Sequence, residues 1–185
     1  TRVDPSVGLT VAAHNSLCTN HIYTFGNEAQ KKRYIPDLAS ARTIGAWALT
    51  EPSSGSDAGG MLTTAVRDGD SFVINGSKNF ITHGSVGQVA VITAISKKEL
   101  GKKGISAFVV PTDTPGYIVS KKENKLGVRC CDTAALAFDN MRVPADALLG
   151  KEGEGFPQAL TILDGGRISI AALALGIAQG ALDAS

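Results

Sequence analysis

The chain has 185 residues, 43% of them hydrophobic, and a formal net charge of +1 at pH 7. This composition is typical of a folded globular protein, and a nearly neutral charge without a basic patch argues against nucleic-acid or membrane-surface binding. No uninterrupted apolar run reaches the roughly 20 residues of a membrane helix, so we expect no membrane span.

The cysteines and histidines predict neither a disulfide framework nor a metal site. Cys18, Cys130 and Cys131 form an odd and sparse set. An adjacent pair rarely forms a relaxed disulfide, so we expect free thiols in a reducing compartment. No CxxC pair is present, and the three histidines lack the spacing of metal ligands.

The first part of the chain has the pattern of helices. Asp4 or Ser6 is a candidate N-cap for the first helix. Asn27 is a candidate N-cap for a second helix over residues 28–41. Pro36 falls inside this second helix and predicts a break or a kink there.

The middle of the chain changes to short, β-branched runs with period-two alternation. Asn75-Gly76 predicts a hairpin between two strands, and Asp68-Gly69-Asp70 and Asp139-Asn140 predict further turns. Many short strands without long intervening helices predict an antiparallel sandwich or barrel. The predicted strands are Ile44–Thr50, Leu62–Arg67, Phe72–Asn75, Asn79–Thr82, Val89–Ser96, Ile105–Val110, Tyr117–Lys122 and Ala134–Asp139.

The last part, residues 154–185, returns to a helical pattern with an apolar stripe rich in alanine and glycine. Asp164-Gly165-Gly166 is expected to interrupt it. The order along the chain is therefore helix, strand, helix, which is an α+β organisation.

Two stretches in the strand-rich part carry candidate ligand-binding groups. The run from Trp47 to Asp57 ends a strand and continues as a Ser/Gly loop, whose N–H and hydroxyl groups suit an anionic or polar ligand. An ordinary loop with Asp57 as a helix cap is the alternative. Phe80 and Thr82 lie two apart on a strand and therefore share a face, where they suit a planar ring; a core Phe and a strand Thr are the alternative.

Two further clusters carry charge. Asp164 and Arg167 are three apart on a helix, so they can pair with each other, or Arg167 can meet a carboxylate or phosphate. The pairs Lys97-Lys98 and Lys102-Lys103 can meet a phosphate, or they can form a solvated hairpin tip.

Together and in this order, these stretches closely resemble the acyl-CoA dehydrogenase family, in particular its short-chain (butyryl-CoA dehydrogenase-like) members. The resemblance covers nearly the whole chain. The matching segments are 14–18 (HNSLC), 30–36 (QKKRYIP), 47–57 (WALTEPSSGSD), 75–82 (NGSKNFIT), 104–110 (GISAFVV), 125–129 (KLGVR), 143–144 (VP), 149–150 (LG) and 163–179 (LDGGRISIAALALGIAQ).

The resemblance implies a helical domain, a middle β-barrel domain and a C-terminal helical domain. We expect an internal fragment of such a protein. Residues 1–43 would end the N-terminal helical domain, residues 44–153 would form the middle domain, and residues 154–185 would form the first helix of a truncated C-terminal domain.

The resemblance also implies a flavin site, with Phe80 against the flavin and Thr82 near its N5 atom. Phe80 stands where Trp is commoner, His83 where Asn is usual, and Cys130-Cys131 where small residues are usual. The implied FAD-binding residues are Trp47, Ala48, Leu49, Thr50, Glu51, Pro52, Ser53, Ser54, Gly55, Ser56, Phe80, Ile81 and Thr82. The implied substrate-binding residues are Ser56, Asp164, Gly165, Gly166 and Arg167.

The implied reaction is the α,β-dehydrogenation of a short-chain acyl-CoA to the trans-2-enoyl-CoA. Family members place a catalytic glutamate at one of two positions. One position is Gly166 here, which cannot act as a base, and the other lies beyond residue 185. No catalytic residue is therefore assigned in this chain, and the isolated fragment is expected to be inactive and to retain FAD poorly.

The implied partners are an acyl-CoA substrate, electron-transfer flavoprotein and, at full length, three further copies in a homotetramer. The location would be the cytoplasm of a bacterium or the mitochondrial matrix of a eukaryote. An acyl-CoA oxidase, an enoyl-CoA reductase, a desulfinase-type relative and a non-enzymatic flavin- or CoA-binding scaffold are the alternatives on the same fold.

Overall fold

The computed structural model describes residues 1–185 and places an eight-stranded sheet between helices at either end of the chain. The α+β organisation expected from the sequence is confirmed. The helices are α1 (Pro5–Ala13), a π-helical segment (His14–Thr19), α2 (Asn20–Phe25), α3 (Glu28–Ala39) and α4 (Gly155–Asp183).

The first helices begin where their capping residues predict. The Asp4 carboxylate accepts the Ser6 N–H at 2.7 Å, so Asp4 is the cap of α1. Asn27 and Gln30 bond each other's backbone N–H groups at 2.9 Å and form a capping box that starts α3. The break expected at Pro36 is absent, because α3 continues through it and ends at Ala39.

The sheet is mixed, with most of its neighbouring strands antiparallel. Its order is β6-β7-β3-β2-β4-β5-β8, and β1 pairs with β4 in parallel. The end strands β6 and β8 do not pair with each other, so the sheet is not the closed barrel that the resemblance implied. The strands are β1 (Gly45–Ala48), β2 (Thr64–Asp68), β3 (Ser71–Thr82), β4 (Val89–Ile95), β5 (Ile105–Pro111), β6 (Tyr117–Lys122), β7 (Thr133–Pro144) and β8 (Leu148–Leu149).

Two of the predicted turns are instead irregularities inside long strands. Asn75-Gly76 lies within β3 and Asp139-Asn140 within β7, so the hairpin predicted at Asn75 is wrong. The Asn75 side chain accepts the Asn140 N–H at 2.8 Å, and the register between the strands shifts at Gly76, whose φ is +147°. These residues therefore form a bulge between the two paired strands. The turn predicted at Gly69 is confirmed, because Asp68 pairs with Ser71 around it.

The core lies on both faces of the sheet. A cluster of 17 buried residues fills one face. In it the rings of Phe72 and Phe108 pack edge to face, with their centroids 5.0 Å apart. On the other face, residues of the N-terminal helices such as Ile22 and Leu38 pack against β4 and β5. Cys18 is buried there, and burial raises the pKa of its thiol to about 12, so this thiol stays protonated. All three cysteines are free.

The last helix, α4, is continuous over 29 residues, and the expected interruption at Asp164-Gly165-Gly166 is absent. Neither glycine adopts the positive φ that ends a helix. By length and composition α4 is also apolar enough to cross a membrane, contrary to the expectation that no segment would be. One such helix is weak evidence for a membrane span, because helices of water-soluble proteins meet the same criterion.

The start of α4 is pressed against the backbone of β5. A Cβ atom on Gly155 would lie 2.4 Å from the Ser106 carbonyl carbon and 2.7 Å from the Ala107 nitrogen. We therefore expect Gly155→Ala to lower the free energy of unfolding by roughly 1–3 kcal/mol, as overpacking does elsewhere. Chemical denaturation measures this change.

The matched control is Gly165→Ala in the same helix, where an added Cβ meets no atom within 4 Å. This control is expected to be neutral or to stabilise the protein by up to about 1 kcal/mol, because alanine favours helix more than glycine does. Equal effects of the two substitutions would contradict the tight contact at Gly155.

Candidate functional site

The loop of residues 50–57 is attached to the end of β3 by a backbone hydrogen bond. The Asn79 N–H donates to the Thr50 carbonyl at 2.8 Å. The two stretches that the sequence singled out are therefore neighbours at this end of the sheet.

A buried ion pair also joins the loop to β3. The Lys78 ammonium donates to the Glu51 carboxylate at 2.9 Å and to the Leu49 carbonyl at 3.0 Å. Glu51 also accepts the N–H groups of Leu62 at 2.6 Å and Thr63 at 3.0 Å. Both carboxylate oxygens thus accept hydrogen bonds. The ion pair therefore holds the start of the loop against β3 and against the chain before β2.

Burial alters the pKa values of this pair. Loss of hydration lowers the pKa of the Lys78 ammonium to about 8, although Glu51 opposes the shift. Burial alone would raise the pKa of Glu51, but the charge of Lys78 and the hydrogen bonds it accepts outweigh this effect and lower it. Glu51 is therefore a carboxylate at neutral pH, and its charge is neutralised inside the protein.

The candidate flavin-binding run divides into buried and exposed members. Ala48, Leu49, Glu51 and Ser54 are buried, so their side chains support the loop from below. Pro52, Ser53, Gly55 and Ser56 are exposed, and Trp47 and Thr50 are half-buried.

At the end of β3 the backbone turns an aromatic side chain outward. Phe80 has φ +57° and its side chain is 63% exposed, while Ile81 is 2% exposed and belongs to the core. A positive φ is strained for a bulky residue and is typical of functional sites. Ile81 can therefore reach a ligand only through its backbone, whereas Phe80 offers a ring face.

Thr82 lines a cavity of about 660 Å³ between the N-terminal helices and α4. The lining is mostly apolar and includes no carboxylate. A Cβ on Gly166 would lie 3.5 Å from Leu17, so the helices approach closely there. The lining residues are Leu9, Ala12, Ala13, Ser16, Leu17, Thr82, Leu163, Gly166, Arg167, Ser169, Ile170, Ala171 and Ala174.

The candidate substrate residues are only partly brought together. Gly166 and Arg167 line the cavity with Thr82, but Ser56, Asp164 and Gly165 do not. Arg167 and Asp164 also pair at 3.8 Å, with side chains 81% and 80% exposed. Such an exposed pair adds little to stability, so Arg167 remains available to an anion.

A hydrogen-bond chain that the sequence did not reveal joins the site to α4. The Trp47 indole N–H donates to His21 Nδ1 at 2.9 Å, so His21 Nε2 carries the proton and donates to Gln158 at 3.0 Å. The Gln158 amide in turn donates to the Leu149 carbonyl at 3.0 Å. Burial lowers the pKa of His21 to about 4, so the imidazole is neutral at physiological pH.

The residues that sequence reasoning missed had weak signals. Lys78 lies within the segment NGSKNFIT, where no local pattern marks it as the partner of Glu51. His21 is one of three scattered histidines, and a lone histidine gives no sequence sign of its partners. Ser16 and Leu17 reach the cavity from the π-helical segment, a feature often found at functional sites.

The departures from the family pattern occupy distinct environments. His83 is buried, and its Nδ1–H donates to the Gly45 carbonyl at 3.0 Å, so it ties the end of β3 to β1. Cys131 is buried and Cys130 is exposed. Lys102 pairs with Asp57 at 3.3 Å, which places one of the clustered lysines at the edge of the loop.

These surfaces fit a flavin. Phe80 presents an exposed ring, Thr82 a hydroxyl group, and the loop a row of small side chains in which a Cβ on Gly55 would meet no atom. The buried Glu51 adds no unpaired negative charge beneath the loop. A planar ring with hydrogen-bonding edges is the kind of ligand that such a donor set accommodates.

Comparison with known families matches two segments of the chain. Residues 46–141 match the acyl-CoA dehydrogenase middle domain, and residues 1–42 match the acyl-CoA dehydrogenase N-terminal domain. The chain belongs to the acyl-CoA dehydrogenase family. The expectation drawn from the sequence motifs is thus confirmed at the level of the family.

Curated acyl-CoA dehydrogenases are similar along nearly the whole chain. An acyl-CoA dehydrogenase of Bacillus subtilis is 50% identical over 182 residues, which are 98% of this chain and 48% of the relative. The mitochondrial short-chain specific acyl-CoA dehydrogenase of Homo sapiens is 48% identical over 178 residues, which are 96% of this chain and 43% of that protein. The chain therefore spans about half the length of the curated relatives it matches.

Solved structures of the family superpose closely. Butyryl-CoA dehydrogenase from Megasphaera elsdenii is 44% identical with a TM-score of 0.96, and the match covers 98% of this chain and 48% of that one. A chain from a study of the electron transferring flavoprotein of Acidaminococcus fermentans is 48% identical with a TM-score of 0.97 and the same coverage. The prolyl acyl carrier protein oxidase AnaB is 36% identical with a TM-score of 0.93, over 97% of this chain and 48% of that one.

Proposed function

We propose that the natural polypeptide containing this chain is an FAD-dependent dehydrogenase that oxidises a short-chain acyl-CoA to the trans-2-enoyl-CoA and passes the electrons to electron-transfer flavoprotein. The observation that carries this proposal is the cavity that Thr82 shares with Gly166 and Arg167. It places an apolar space beside the surface that fits a flavin.

The residues of this chain would bind and orient the reactants. Phe80 and the exposed part of the loop from Thr50 to Ser56 would hold the flavin ring, with the Thr82 hydroxyl as a hydrogen-bond donor. The apolar lining of the cavity would hold the acyl chain and exclude water, which strengthens the electrostatic interactions inside it. Arg167 would meet a polar or anionic part of the coenzyme A moiety.

The reaction breaks two C–H bonds, one at the α-carbon and one at the β-carbon, and each hydrogen goes to a different acceptor. When bound, FAD supplies the acceptor for the hydride that leaves the β-carbon. The α-proton must pass to a carboxylate base held at a suitable pKa. No carboxylate lines the cavity, and Gly166 has no side chain to supply one. We therefore propose that the base comes from a part of the natural polypeptide outside residues 1–185.

The whole protein, purified with FAD, tests the proposal. Butyryl-CoA added without oxygen should bleach the visible absorbance of the flavin, and 2-butenoyl-CoA should appear as the product. Thr82→Val should lower kcat by about 10²-fold, because removal of one oriented donor at a reacting group costs that much.

Thr161→Val is the control for this substitution, because Thr161 is exposed on α4 and does not line the cavity. It should leave kcat unchanged. The proposal fails if neither bleaching nor product is seen with butyryl-CoA or with longer acyl-CoA thioesters.

An oxidase is the second candidate, because one close structural relative is described as an acyl carrier protein oxidase. Oxygen consumption and hydrogen peroxide formation in the presence of butyryl-CoA, without electron-transfer flavoprotein, would favour it. If oxygen reoxidises the reduced flavin of the enzyme slowly and electron-transfer flavoprotein reoxidises it rapidly, the dehydrogenase is favoured.

The remaining assignments follow from the same proposal. We propose that residues 1–43, 44–153 and 154–185 belong to three successive domains of a homotetrameric enzyme. The succession of helices, sheet and α4 supports this division. Relatives from a bacterium and from mitochondria support a cytoplasmic location in a bacterium or a matrix location in a eukaryote.

A further inference from the structure

Two buried histidines lie directly behind the cavity that Thr82 lines. Each one follows a lining residue in the chain, because His14 comes after Ala13 and His83 comes after Thr82. The two histidines are 7% and 2% exposed, and neither lines the cavity itself. They can therefore hold two parts of its wall, the N-terminal helices and the end of β3, without touching what the cavity binds.

The two rings bind the same residue, Gly45 of β1. The Gly45 N–H donates to His14 Nδ1 at 3.0 Å, and the Gly45 carbonyl accepts the Nδ1–H of His83 at 3.0 Å. Since His14 Nδ1 is an acceptor, its Nε2 carries the proton and donates to the Leu38 carbonyl at 2.9 Å. One chain of hydrogen bonds thus runs from α3 through the π-helical segment and β1 to the end of β3.

Backbone pairing does not make this connection. β1 pairs with β4 and shares no ladder with β3. The backbone of His83 turns away from the strand with φ +61°, and its N–H donates to the Asp132 carbonyl at 3.1 Å. The Nε2 atom of the ring is buried and bonds no protein group. The Nδ1–H bond to Gly45 is therefore the polar contact through which the His83 ring acts.

The middle of the chain of hydrogen bonds has no room to shift. A Cβ atom on Gly45 would lie 2.6 Å from the Cys18 sulfur and 2.7 Å from the Cys18 Cβ. The backbone of β1 is thus pressed against the π-helical segment that also carries His14. A group tied to the Gly45 carbonyl is consequently held at a fixed distance from the helical wall of the cavity.

We infer that His83, held through Gly45 by His14, is a positioning residue for the Thr82 hydroxyl. The inference rests on the proposed function, because it takes this hydroxyl as a hydrogen-bond donor to the flavin. A hydrogen bond weakens steeply as its angle and length depart from their optimum, so the donor must be held in place. His83 is the next residue in the chain, and movement of its backbone displaces Thr82 with it.

Substitution of His83 in the whole FAD-loaded protein tests the inference. His83→Leu keeps a side chain of similar size but has no donor. It should lower kcat for butyryl-CoA by at least about tenfold, because misplacement of a group by 1 Å costs up to about 10²-fold. KM should change little, since the lost interaction belongs to the transition state.

His83→Asn should rescue most of this loss. The side-chain nitrogen of asparagine is as many bonds from Cα as Nδ1 of histidine and can donate to the same carbonyl. Asparagine also tolerates the positive φ at this position. We expect kcat within about threefold of the unsubstituted protein, the size of a small change in one hydrogen bond.

A double-mutant cycle shows whether His83 acts through Thr82. In a Thr82→Val background the hydroxyl is gone, so His83→Leu should lower kcat further by less than about twofold. Gly155→Ala is the control for a general loss of stability, because the added Cβ presses on Ser106 and Ala107 and not on this chain of hydrogen bonds. Its effect on kcat should be small and equal in both backgrounds.

FAD binding supplies a readout that is independent of turnover. Isothermal titration of FAD into the whole protein, stripped of its flavin, should show a Kd raised roughly three- to tenfold by Thr82→Val, the value of one hydrogen bond. His83→Leu should raise the Kd by a similar factor, and the double variant should bind FAD no more weakly than either single variant.

The outcomes separate the two ideas. If the unsubstituted protein binds FAD and oxidises butyryl-CoA, but His83→Leu has equal effects with and without the Thr82 hydroxyl, the positioning role is overturned and the proposed function stands. The same holds if His83→Asn is as impaired as His83→Leu. If the unsubstituted protein neither binds FAD nor oxidises any acyl-CoA, the proposed function is overturned, and the inference with it.

Discussion

Replacement of Lys78 by methionine is expected to lower the free energy of unfolding by roughly 3–5 kcal/mol, the usual effect of removing one partner from a buried ion pair. Lys78 is fully buried, and Glu51 is 4% exposed. Without the ammonium, the Glu51 carboxylate stays inside the protein with only the N–H groups of Leu62 and Thr63 as partners. Urea denaturation of the purified protein measures the loss.

The double variant Glu51→Gln with Lys78→Met is the informative control. It removes both charges while it keeps side chains of similar size, and replacement of a whole buried pair is often close to neutral. We therefore expect it to recover part of the stability that Lys78→Met loses, since the single carbonyl oxygen of glutamine cannot replace both carboxylate oxygens as acceptors for Leu62 and Thr63. A loss below about 1 kcal/mol in the single variant, or no recovery in the double variant, would argue against the ion pair as the fastening of the loop.

Acid should destabilise the protein through His21 between pH 6.5 and 4. The pKa of His21 is about 4 in the folded protein and 6.5 for an unperturbed histidine. Since the folded pKa is the lower one, the unfolded chain binds the extra proton in this range. The stabilisation is therefore complete above pH 6.5 and is lost as the pH falls toward 4. A difference of this size corresponds to roughly 3 kcal/mol.

Protonation also breaks a specific contact, because a charged His21 has no lone pair to accept the Trp47 indole N–H. His21→Gln can accept this N–H and donate to Gln158, but it does not titrate. Unfolding free energies of the two proteins should therefore run parallel above pH 6.5 and diverge below it. Parallel curves down to pH 4 would show that His21 is not the group responsible.

The sequence was sufficient for the parts of the fold that depend on local chemistry. Asn27 with Gln30 set the start of α3, and the turn at Gly69 follows from a residue that tolerates a positive φ. The family also followed from the sequence, because ordered motifs over most of the chain are specific even where each one is weak. The two stretches of the candidate site, residues 47–57 and 80–82, were recognisable because they are among these motifs.

The errors arose where long-range pairing overrides local preference. Asn75-Gly76 has the chemistry of a tight turn, but β3 continues through it because its partner strand β7 bonds the Asn75 side chain and accommodates a bulge. Gly165-Gly166 is a different case: both residues continue the helix, and neither adopts the positive φ that would end it.

The sequence by itself determined the family, the order of helices and sheet, and the two stretches that meet at the candidate flavin surface. Only the tertiary structure decided how that surface is held and which residues line the cavity beside it. The Lys78–Glu51 pair, the Trp47–His21–Gln158 chain and the Ser16–Ser169 bond join residues between 26 and 153 positions apart. Burial then fixes their charge states, and no local pattern in a single sequence records such partners.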